Sequence, residues 1–360
     1  MSNAVVTGKV VMNRVVVMER QPWFAVLLMA IVSMLWFRSA LGMQGDDGVV
    51  GMNPSTKEAI HHALEYLRAR QNEDGSFGSG TYSRNVGVCS LVGMAFMSNG
   101  STPGRGPYGD SVERCLSFVL DNVHESGFIN EAESSSHGPM YGHGFACLFL
   151  AEAYGMSPRP DLREKLAAAV RLIVDTQNDE GGWRYQPQRR DADISVTICQ
   201  VMALRAARNA GIFVPSDTID RCIEYVKRSQ NADGGFMYML QGGPSAFPRS
   251  AAGVVALYSA GIYHGDEITK GLRYLSQFRP DPNGVNREGH FFYGQYYAAQ
   301  AMWQAGGEHW NQWYPAIVNV LLQTQKSDGS WMDPTSPDYA TAMAVITLHM
   351  PNNYLPIFQR

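Results

Sequence analysis

A five-residue apolar pattern that recurs six times constrains this chain more than any other feature. The copies begin at 46- to 54-residue intervals, at Ala63, Cys115, Ala169, Cys222, Gly271 and Ile317. A repeat of this length is one supersecondary unit, which cannot bury its apolar face alone. The sequence therefore predicts a fold made by packing like units against one another. Five of the six first positions hold small residues, which favours close helix packing there.

In four of the six copies, a glutamine lies eight residues after the start of the pattern and opens a turn that ends in Phe or Trp. We call these segments the Gln turns, and they span residues 71–77, 177–183, 230–236 and 325–331. Each has glycine at its fifth position. A glutamine amide can satisfy backbone groups at helix ends, and glycine suits the turn. We therefore expect the Gln turns to be structural.

Each copy contains two stretches with helical apolar spacing. The first is amphipathic and the second more uniformly apolar, as expected for an outer and an inner helix. The predicted inner helices span residues 86–97, 145–154, 194–208, 251–260, 296–304 and 341–349. The last copy shows no polar cap, so a closed ring is favoured over an open solenoid. The predicted fold class is all-α, an (α/α)6 toroid of six helical hairpins, with the N-termini of the inner helices at one rim.

The N-terminal segment differs from the repeats. Charged residues precede an apolar run at residues 23–37, and small residues follow at 40–42. The run is short for a membrane span of ~20 residues, so a secretory signal is favoured, with an uncleaved anchor or a buried helix as alternatives. The predicted organisation is a signal peptide or membrane anchor with linker over residues 1–50 and one toroid over 51–360. Such a protein is exported to the periplasm or cell envelope or, if uncleaved, is membrane-anchored.

Charge and cysteine usage exclude some partners. The net charge is −4 at pH 7 and the basic residues are scattered, so no nucleic-acid partner is predicted. The five cysteines include no CxxC pair. Cys115 and Cys222 begin copies of the pattern and are predicted to be small core residues, as are Cys89, Cys147 and Cys199 inside the inner helices. We predict no metal site and no cofactor.

The Gln turns, which recur about every 50 residues in predicted hairpins, resemble the repeats of squalene and oxidosqualene cyclases and of protein prenyltransferase β subunits. The resemblance spans residues 56–350, and in that superfamily the glutamine and the aromatic residue are structural. It implies a zinc site only if Cys and His begin two late inner helices. The matching stretches, 292–297 and 337–342, contain neither.

Class II cyclases also carry an Asp-x-Asp-Asp-Thr motif, whose central Asp is the acid. Residues 191–197 read Asp-Ala-Asp-Ile-Ser-Val-Thr and resemble it in two registers. In one, Asp193 is the proton donor beside Asp191. In the other, Asp193 is the first Asp, Thr197 is retained, and Ser195 stands at the donor position. We favour the second because it keeps the threonine and the helix in phase, although serine cannot protonate an unactivated alkene.

The aspartates also have an ordinary interpretation as helix caps, or as rim ion pairs with Arg189 and Arg190. Other polar and aromatic residues are predicted at the starts of the inner helices, where they suit an apolar ligand such as an isoprenoid. The candidate substrate-binding residues are Tyr82, Arg84, Tyr141, His143, Arg249, Tyr293, Gln295 and Tyr339. Arg84 and Arg249 could hold an anionic head. The tyrosines could instead fill the centre, and a lone His143 is more often structural.

Three functions remain open. The first is a terpenoid cyclase or transferase in which Asp193 is the acid. The second, which we favour because the motifs are degenerate, is a noncatalytic toroid that binds an isoprenoid or other lipid, or a partner protein. The third is a glycan-active enzyme, which needs two carboxylates about 5–9.5 Å apart. Asp191 and Asp193 could meet that distance only with a third group such as Asp338.

Overall fold

The computed structural model describes residues 52–132, 138–286 and 289–359. These residues belong to one compact unit that spans Val49–Arg360. The signal peptide or anchor predicted at residues 1–50 lies outside the described residues and stays a prediction.

The described part of the chain contains twelve α-helices, which alternate between two layers. The outer helices are α1 (Pro54–Arg70), α3 (Gly109–Asp121), α5 (Leu162–Thr176), α7 (Ser216–Arg228), α9 (Asp266–Leu275) and α11 (Gly307–Thr324). The inner helices are α2 (Val86–Ser98), α4 (Pro139–Tyr154), α6 (Ile194–Asn209), α8 (Phe247–Ser259), α10 (Phe291–Ala305) and α12 (Pro337–His349). None of the twelve combines the length and hydropathy that crossing a bilayer requires.

The inner helices form a closed ring. Each packs against the inner helices of the two neighbouring hairpins, and α12 packs against α2, which closes the circle. Outer helices bury one face, whereas inner helices are buried on nearly all sides. The predicted (α/α)6 toroid of six hairpins is therefore confirmed.

The Gln turns connect neighbouring hairpins rather than only the two helices of one hairpin. The amide nitrogen of Gln177 donates to the carbonyl of Gly181 in its own turn (2.8 Å) and to that of Thr218 in the next outer helix, α7 (2.9 Å). The amide of Gln325 does the same at the seam, where it donates to Ala59 in α1 (2.8 Å). Each such glutamine therefore fixes the spacing between adjacent outer helices, including the last and the first.

Glycine is required in these turns for two reasons. Gly181 has a φ of 99°, and a Cβ atom there would lie 2.2 Å from the carbonyl oxygen of Arg221 in α7. Gly329 has a φ of 89°, and a Cβ there would lie 2.5 Å from the carbonyl oxygen of His62 in α1. A side chain would be strained and would push neighbouring hairpins apart.

The predicted starts of four inner helices were late. The predictions placed them at residues 145, 251, 296 and 341, whereas the helices begin at Pro139, Phe247, Phe291 and Pro337. Proline occupies the first helical turn of α4, α8 and α12. Proline is compatible with that turn because the first N–H groups of a helix have no intrahelical partner.

After α12, the chain crosses the end of the ring where the inner helices terminate. Leu355, Ile357 and Phe358 are buried there. The indole N–H of Trp303 in α10 donates to the carbonyl of Phe358 (2.9 Å), and the Ile357 amide donates to the Glu152 carboxyl in α4 (3.2 Å). This C-terminal segment therefore closes one end of the toroid.

All five cysteines are buried and free of disulfides. The predicted core positions are confirmed by their exposure, which is 0–2% of the maximum for every cysteine.

Candidate functional site

A cavity of about 460 Å³ lies at the end of the ring where the inner helices begin. All six inner helices contribute residues to it, from their first turns or from the residue before them. It is therefore a central site built by the whole ring.

Aromatic residues are prominent in the cavity wall. Six of its lining residues are tyrosines, namely Tyr82, Tyr141, Tyr185, Tyr238, Tyr293 and Tyr339. Apolar contacts come from Val88, Leu91, Phe145 and Pro248. The other polar side chains are Asn85, Ser195, Arg249, His290 and Thr335. No Asp or Glu lines the cavity among the residues that the structure describes.

Two glycines bring α2 and α4 into close contact beside the cavity. A Cβ atom on Gly87 would lie 2.9 Å from the Cα of Gly142. The Asn85 side chain accepts hydrogen bonds from the amides of Gly87 (3.0 Å) and Val88 (3.1 Å), which caps α2. The wall between these helices is thus fixed by backbone packing.

Asp193 caps its own helix and does not line the cavity. Its Oδ1 accepts from the Val196 amide (2.9 Å), and its Oδ2 accepts from the hydroxyl of Tyr238 (3.2 Å) and lies 3.6 Å from Nε of Arg184. The side chain is fully buried. Burial raises the pKa of Asp193 to about 6, although the Val196 and Tyr238 hydrogen bonds and Arg184 lower it. The Tyr238 hydroxyl thus connects the Asp193 carboxyl to the cavity wall.

Asp191 lies outside this buried site, with its side chain 45% exposed. It forms an ion pair with Arg184, not with Arg189 or Arg190 as the sequence suggested. Arg189 instead donates to the carbonyl of Asp175 (2.7 Å). Arg184 is the partner because it immediately follows Trp183, where the chain returns past the start of α6.

Ser195 faces the cavity at the position that our favoured register gives to the cyclase acid. Its carbonyl accepts from the hydroxyl of Tyr293 (2.9 Å), another wall residue. Thr197 is the threonine that this register retains. Its hydroxyl accepts a hydrogen bond from the Trp183 amide (3.1 Å) and so connects α6 to the Gln turn. The threonine is structural, and the cavity-facing position carries a hydroxyl instead of a carboxyl.

The structure brings together five of the eight predicted substrate-binding residues. Those that line the cavity are Tyr82, Tyr141, Arg249, Tyr293 and Tyr339. Arg84 and Gln295 do not line it. Arg84 pairs with Asp74 and lies over the ring of Phe118 (5.6 Å), so Arg249 is the predicted arginine that lines the cavity. Its Nε donates to the carbonyl of Phe236 (3.1 Å) and its Nη2 to that of Pro244.

His143 is fully buried and lies between the second hairpin and the outer helix of the third. Its Nδ1 accepts from the Ile129 amide (3.1 Å), and its Nε2 lies 3.3 Å from the carbonyl of Ala169. Burial lowers its pKa to about 4, despite the bond to Ala169, which raises it. His143 is the second hairpin's equivalent of Thr197 in the third. Its side chain accepts from the Ile129 amide as that of Thr197 accepts from the Trp183 amide. Contact with a ligand is therefore not supported.

Asp338, the third carboxylate of the glycan hypothesis, is also committed to the fold. It accepts from Nε of Arg70 (2.6 Å) and from the amide of Gly78 (3.0 Å), and it is 1% exposed. These bonds join the start of α12 to the end of α1. Asp338 thus stabilises the ring seam.

Among the wall tyrosines, sequence reasoning missed two, Tyr185 and Tyr238. Each lies two positions after the aromatic residue of a Gln turn, so a shared offset could have revealed them. The carbonyl of Tyr185 accepts from the Met140 amide in α4, and that of Tyr238 accepts from the Ile194 amide in α6, both at 3.1 Å. Each therefore contacts the start of the preceding inner helix, which places its ring at the cavity.

No group of three or more His, Cys, Asp or Glu side chains that could hold a metal occurs in the described ranges. The polar groups at the cavity are the tyrosine, Ser195 and Thr335 hydroxyls, the Asn85 amide, the His290 imidazole and the Arg249 guanidinium.

Solved structures with the same fold include enzymes of different chemistry. The type II terpene cyclase MstE from Scytonema is 15% identical, with a TM-score of 0.58, over 84% of this chain and 100% of that one. A structure described as a wild-type glycosidase is 11% identical, with a TM-score of 0.58, over 85% of this chain and 100% of that one. At these identities the likeness shows the fold alone.

Two curated relatives are drimenyl diphosphate synthases. The one from Streptomyces showdoensis is 24% identical over 64% of this chain and 40% of its own length. The one from Streptantibioticus cattleyicolor is 30% identical over 33% of this chain and 21% of its own length. This chain therefore spans less than half the length of either relative.

The sequence profile of the prenyltransferase alpha-alpha toroid domain matches residues 49–168 and 161–284, which is most of the chain. The matched ranges include the first four hairpins, Asp193 and Ser195. On this match and the closed ring of six hairpins, the chain belongs to the prenyltransferase alpha-alpha toroid family.

Proposed function

We propose that this toroid binds an apolar, isoprenoid-type ligand in its aromatic cavity without protonating it. The observation that carries the proposal is Ser195, whose hydroxyl-bearing position faces the cavity where the favoured register places the cyclase acid. A serine hydroxyl is far too weak an acid to protonate an alkene. The missing carboxyl supports binding over cyclisation.

The cavity suits such a ligand in size and chemistry. Its volume of about 460 Å³ falls within the ~300–1,000 Å³ typical of small-molecule sites. Tyrosine rings provide apolar faces, and Arg249 lies where a polar or anionic head could contact it. The names of the relatives agree with this class, since two are drimenyl diphosphate synthases and one structure of an MstE variant is a complex with geranylgeranyl dihydroxybenzoate.

A second candidate is a cyclase in which Asp193 acts through Tyr238. The favouring observation is the hydrogen bond between the Asp193 carboxyl and the hydroxyl of Tyr238, which itself lines the cavity. With a pKa of about 6, Asp193 is protonated more often near neutral pH than an ordinary aspartate. It is still the weaker candidate, because its other oxygen caps α6 and the carboxyl has no direct contact with the cavity.

Glycan hydrolysis is disfavoured. It requires a pair of carboxyl groups about 5–9.5 Å apart across the substrate, and no described Asp or Glu lines the cavity. Asp338 is held in the ring seam by Arg70 and Gly78. The glycosidase structure shares the fold and carries no further argument.

The proposal also places the protein in the cell envelope, with a partner protein as a candidate cover for the cavity mouth. Its support is the apolar run at residues 23–37. Fractionation of cells that produce the full chain tests this part. Recovery of the protein with cytosolic markers would contradict it.

The binding proposal is tested with the purified full chain, squalene and geranylgeranyl diphosphate. We expect saturable quenching of protein fluorescence by at least one probe, and no new product by mass spectrometry. Ser195→Leu, which adds bulk to the cavity, should weaken binding about tenfold or more, as expected for a loss of ~1.4 kcal/mol or more. Phe213→Ser, at an 83% exposed position away from the cavity wall, is the matched control.

The outcomes separate the candidates. Absence of binding to either probe would overturn the proposal. Product formation that is lost in Asp193→Asn would establish the cyclase candidate instead. Product formation that survives Asp193→Asn would exclude both roles as stated.

A further inference from the structure

Two of the five buried cysteines, Cys89 and Cys115, are neighbours at the contact between the first two hairpins. The Cys89 thiol lies 3.5 Å from the carbonyl of Gly75 and 4.0 Å from the carbonyl of Cys115. The Cys115 sulfur receives the side-chain amide of Gln71 at 3.5 Å. Burial, together with the adjacent Cys115 thiol, raises the pKa of Cys89 well above its usual value.

This proximity follows from the repeat. Cys89 lies four residues after the N-cap of α2, and Cys115 begins the apolar pattern in the next outer helix, α3. In the second hairpin, His143 approaches the carbonyl of Ala169, which begins the pattern in α5 (3.3 Å). The fold thus repeatedly brings this inner-helix position against the head of the next outer helix. Only between α2 and α3 do both positions hold cysteine.

The other three cysteines have different neighbours. Cys147 lies 3.6 Å from Nε2 of His143, and Cys199 lies 3.4 Å from the hydroxyl of Tyr297. Cys222 occupies the same place in α7 that Cys115 occupies in α3, but the corresponding inner-helix residue is Thr197. A disulfide requires two sulfurs that can approach to ~2 Å without backbone movement.

We propose that Cys89 and Cys115 form a disulfide bond when the chain folds in an oxidising environment, linking α2 to α3. One cysteine thiolate attacks an external disulfide such as glutathione disulfide and forms a mixed disulfide. The second thiolate then displaces the remaining glutathione. One S–S bond forms in the protein and one is reduced, both cysteines lose their protons, and two glutathione thiols are released.

The reaction belongs to the folding stage. Once the chain is folded, both sulfurs are buried, and the raised pKa of Cys89 leaves little of its thiolate to attack. The reduced, folded protein should therefore resist oxidation, whereas a chain that refolds in the presence of glutathione disulfide should acquire the bond. The completed bond should in turn resist reduction until the chain unfolds.

The test uses the full chain, unfolded with reductant and then refolded in a glutathione redox buffer. Remaining thiols are alkylated after denaturation and counted by intact mass spectrometry. Of the five thiols, we expect two to be protected, and peptide mapping should recover Cys89 joined to Cys115. The oxidised protein should also unfold several degrees higher than the reduced protein.

Variants keep the result interpretable. Cys115→Ala should abolish the protected pair, and alanine is the natural residue at this position in two other copies, Ala63 and Ala169. Cys222→Ala should leave the protected pair unchanged, because it alters the same repeat position in another hairpin. Thr197→Cys places a thiol opposite Cys222 and should add a second disulfide.

Two outcomes would overturn the proposal. One is five alkylated thiols in correctly refolded wild-type protein. The other is a disulfide that involves Cys147, Cys199 or Cys222 in place of the proposed pair. Neither depends on what the cavity binds.

Discussion

The two ends of the ring are built differently. At the end where the inner helices begin, polar contacts hold the wall: Asp193 caps α6, Asp338 joins α12 to α1, and the centre holds a cavity. At the opposite end, the buried C-terminal side chains Ile357 and Phe358 pack between the ends of the inner helices. The chain thus closes one end with its own residues.

This difference shows where the sequence can accommodate a ligand. Apolar side chains collapse together unless something holds them apart, so an unfilled centre needs a fixed frame. The caps and seam contacts supply that frame at the cavity end. The closed end has the aromatic packing of an ordinary core, with Tyr296 lying between Phe145 of the cavity wall (6.3 Å between ring centroids) and Phe358 (6.4 Å).

The largest expected effect is on the closed end. Phe358→Ala removes a ring that is 5% exposed and should lower the free energy of unfolding by about 3–4 kcal/mol. Tyr82→Ala, at the half-buried cavity wall, should cost less than about 1.5 kcal/mol. Denaturant unfolding of both variants measures the difference. Equal losses would show that the two ends are packed alike.

Glu152 gives the closed end a pH dependence. Burial raises its pKa to about 7 from 4.5, although the Ile357 amide and Arg205 lower it. Below pH 4.5 the group is neutral in both states. Between pH 4.5 and 7 the unfolded chain loses the proton first, so the folded state loses about 3 kcal/mol of relative stability as pH rises.

Glu152→Gln tests this, because Gln retains an acceptor for the Ile357 amide but cannot ionise. At pH 4.5, the variant and the wild type should differ in stability only by the effect of local repacking. The stability of the variant relative to wild type should then increase steadily toward pH 8. Urea midpoints at four pH values give the trend. A constant difference between the two proteins would show that Glu152 does not titrate in this range.

The fold was predictable from sequence because each copy makes the same contacts with its neighbours. The small first residues of the apolar pattern and the glycine of each Gln turn lie at the contacts between hairpins, so their recurrence predicted the ring. The starts of α4, α8 and α12 were less predictable, since proline in a first helical turn reads like a loop. Those turns line the cavity.

The site was only partly predictable, because it depends on contacts between copies. Tyr141, Arg249 and Tyr293 were found from their place at inner-helix starts. Tyr185 and Tyr238 were missed because they reach the cavity from the segment after a Gln turn, beside the preceding inner helix. A one-dimensional pattern does not show which hairpin such a segment contacts.

At the cavity end, the ion pair at the ring seam should contribute more to stability than the ion pair at the exposed rim. Asp338→Asn removes the charged partner of Arg70 and should cost about 1.5–2 kcal/mol, as expected for a part-buried hydrogen bond between charged groups in which the Asp338 side chain is 1% exposed. Asp191→Asn weakens an ion pair whose side chains are 28% and 45% exposed, and should cost less than about 0.5 kcal/mol. Thermal unfolding distinguishes them. An Asp191→Asn effect as large as that of Asp338→Asn would contradict the assignment of the seam.

The smallest effect separates the polar frame from the closed end at the level of a single hydroxyl. Tyr238→Phe removes the hydrogen bond to Asp193 and should cost about 1 kcal/mol. Because that bond lowers the pKa of Asp193, its loss should raise the pKa above about 6, which carboxyl NMR titration measures.

Tyr314→Phe is the matched control at the closed end, where the hydroxyl donates to the Leu348 carbonyl (2.8 Å). It should cost a similar amount and leave the Asp193 titration unchanged, since no carboxyl is its partner. If both variants shifted Asp193 equally, the two ends would be coupled, and the frame around the cavity would not be independent of the packed core.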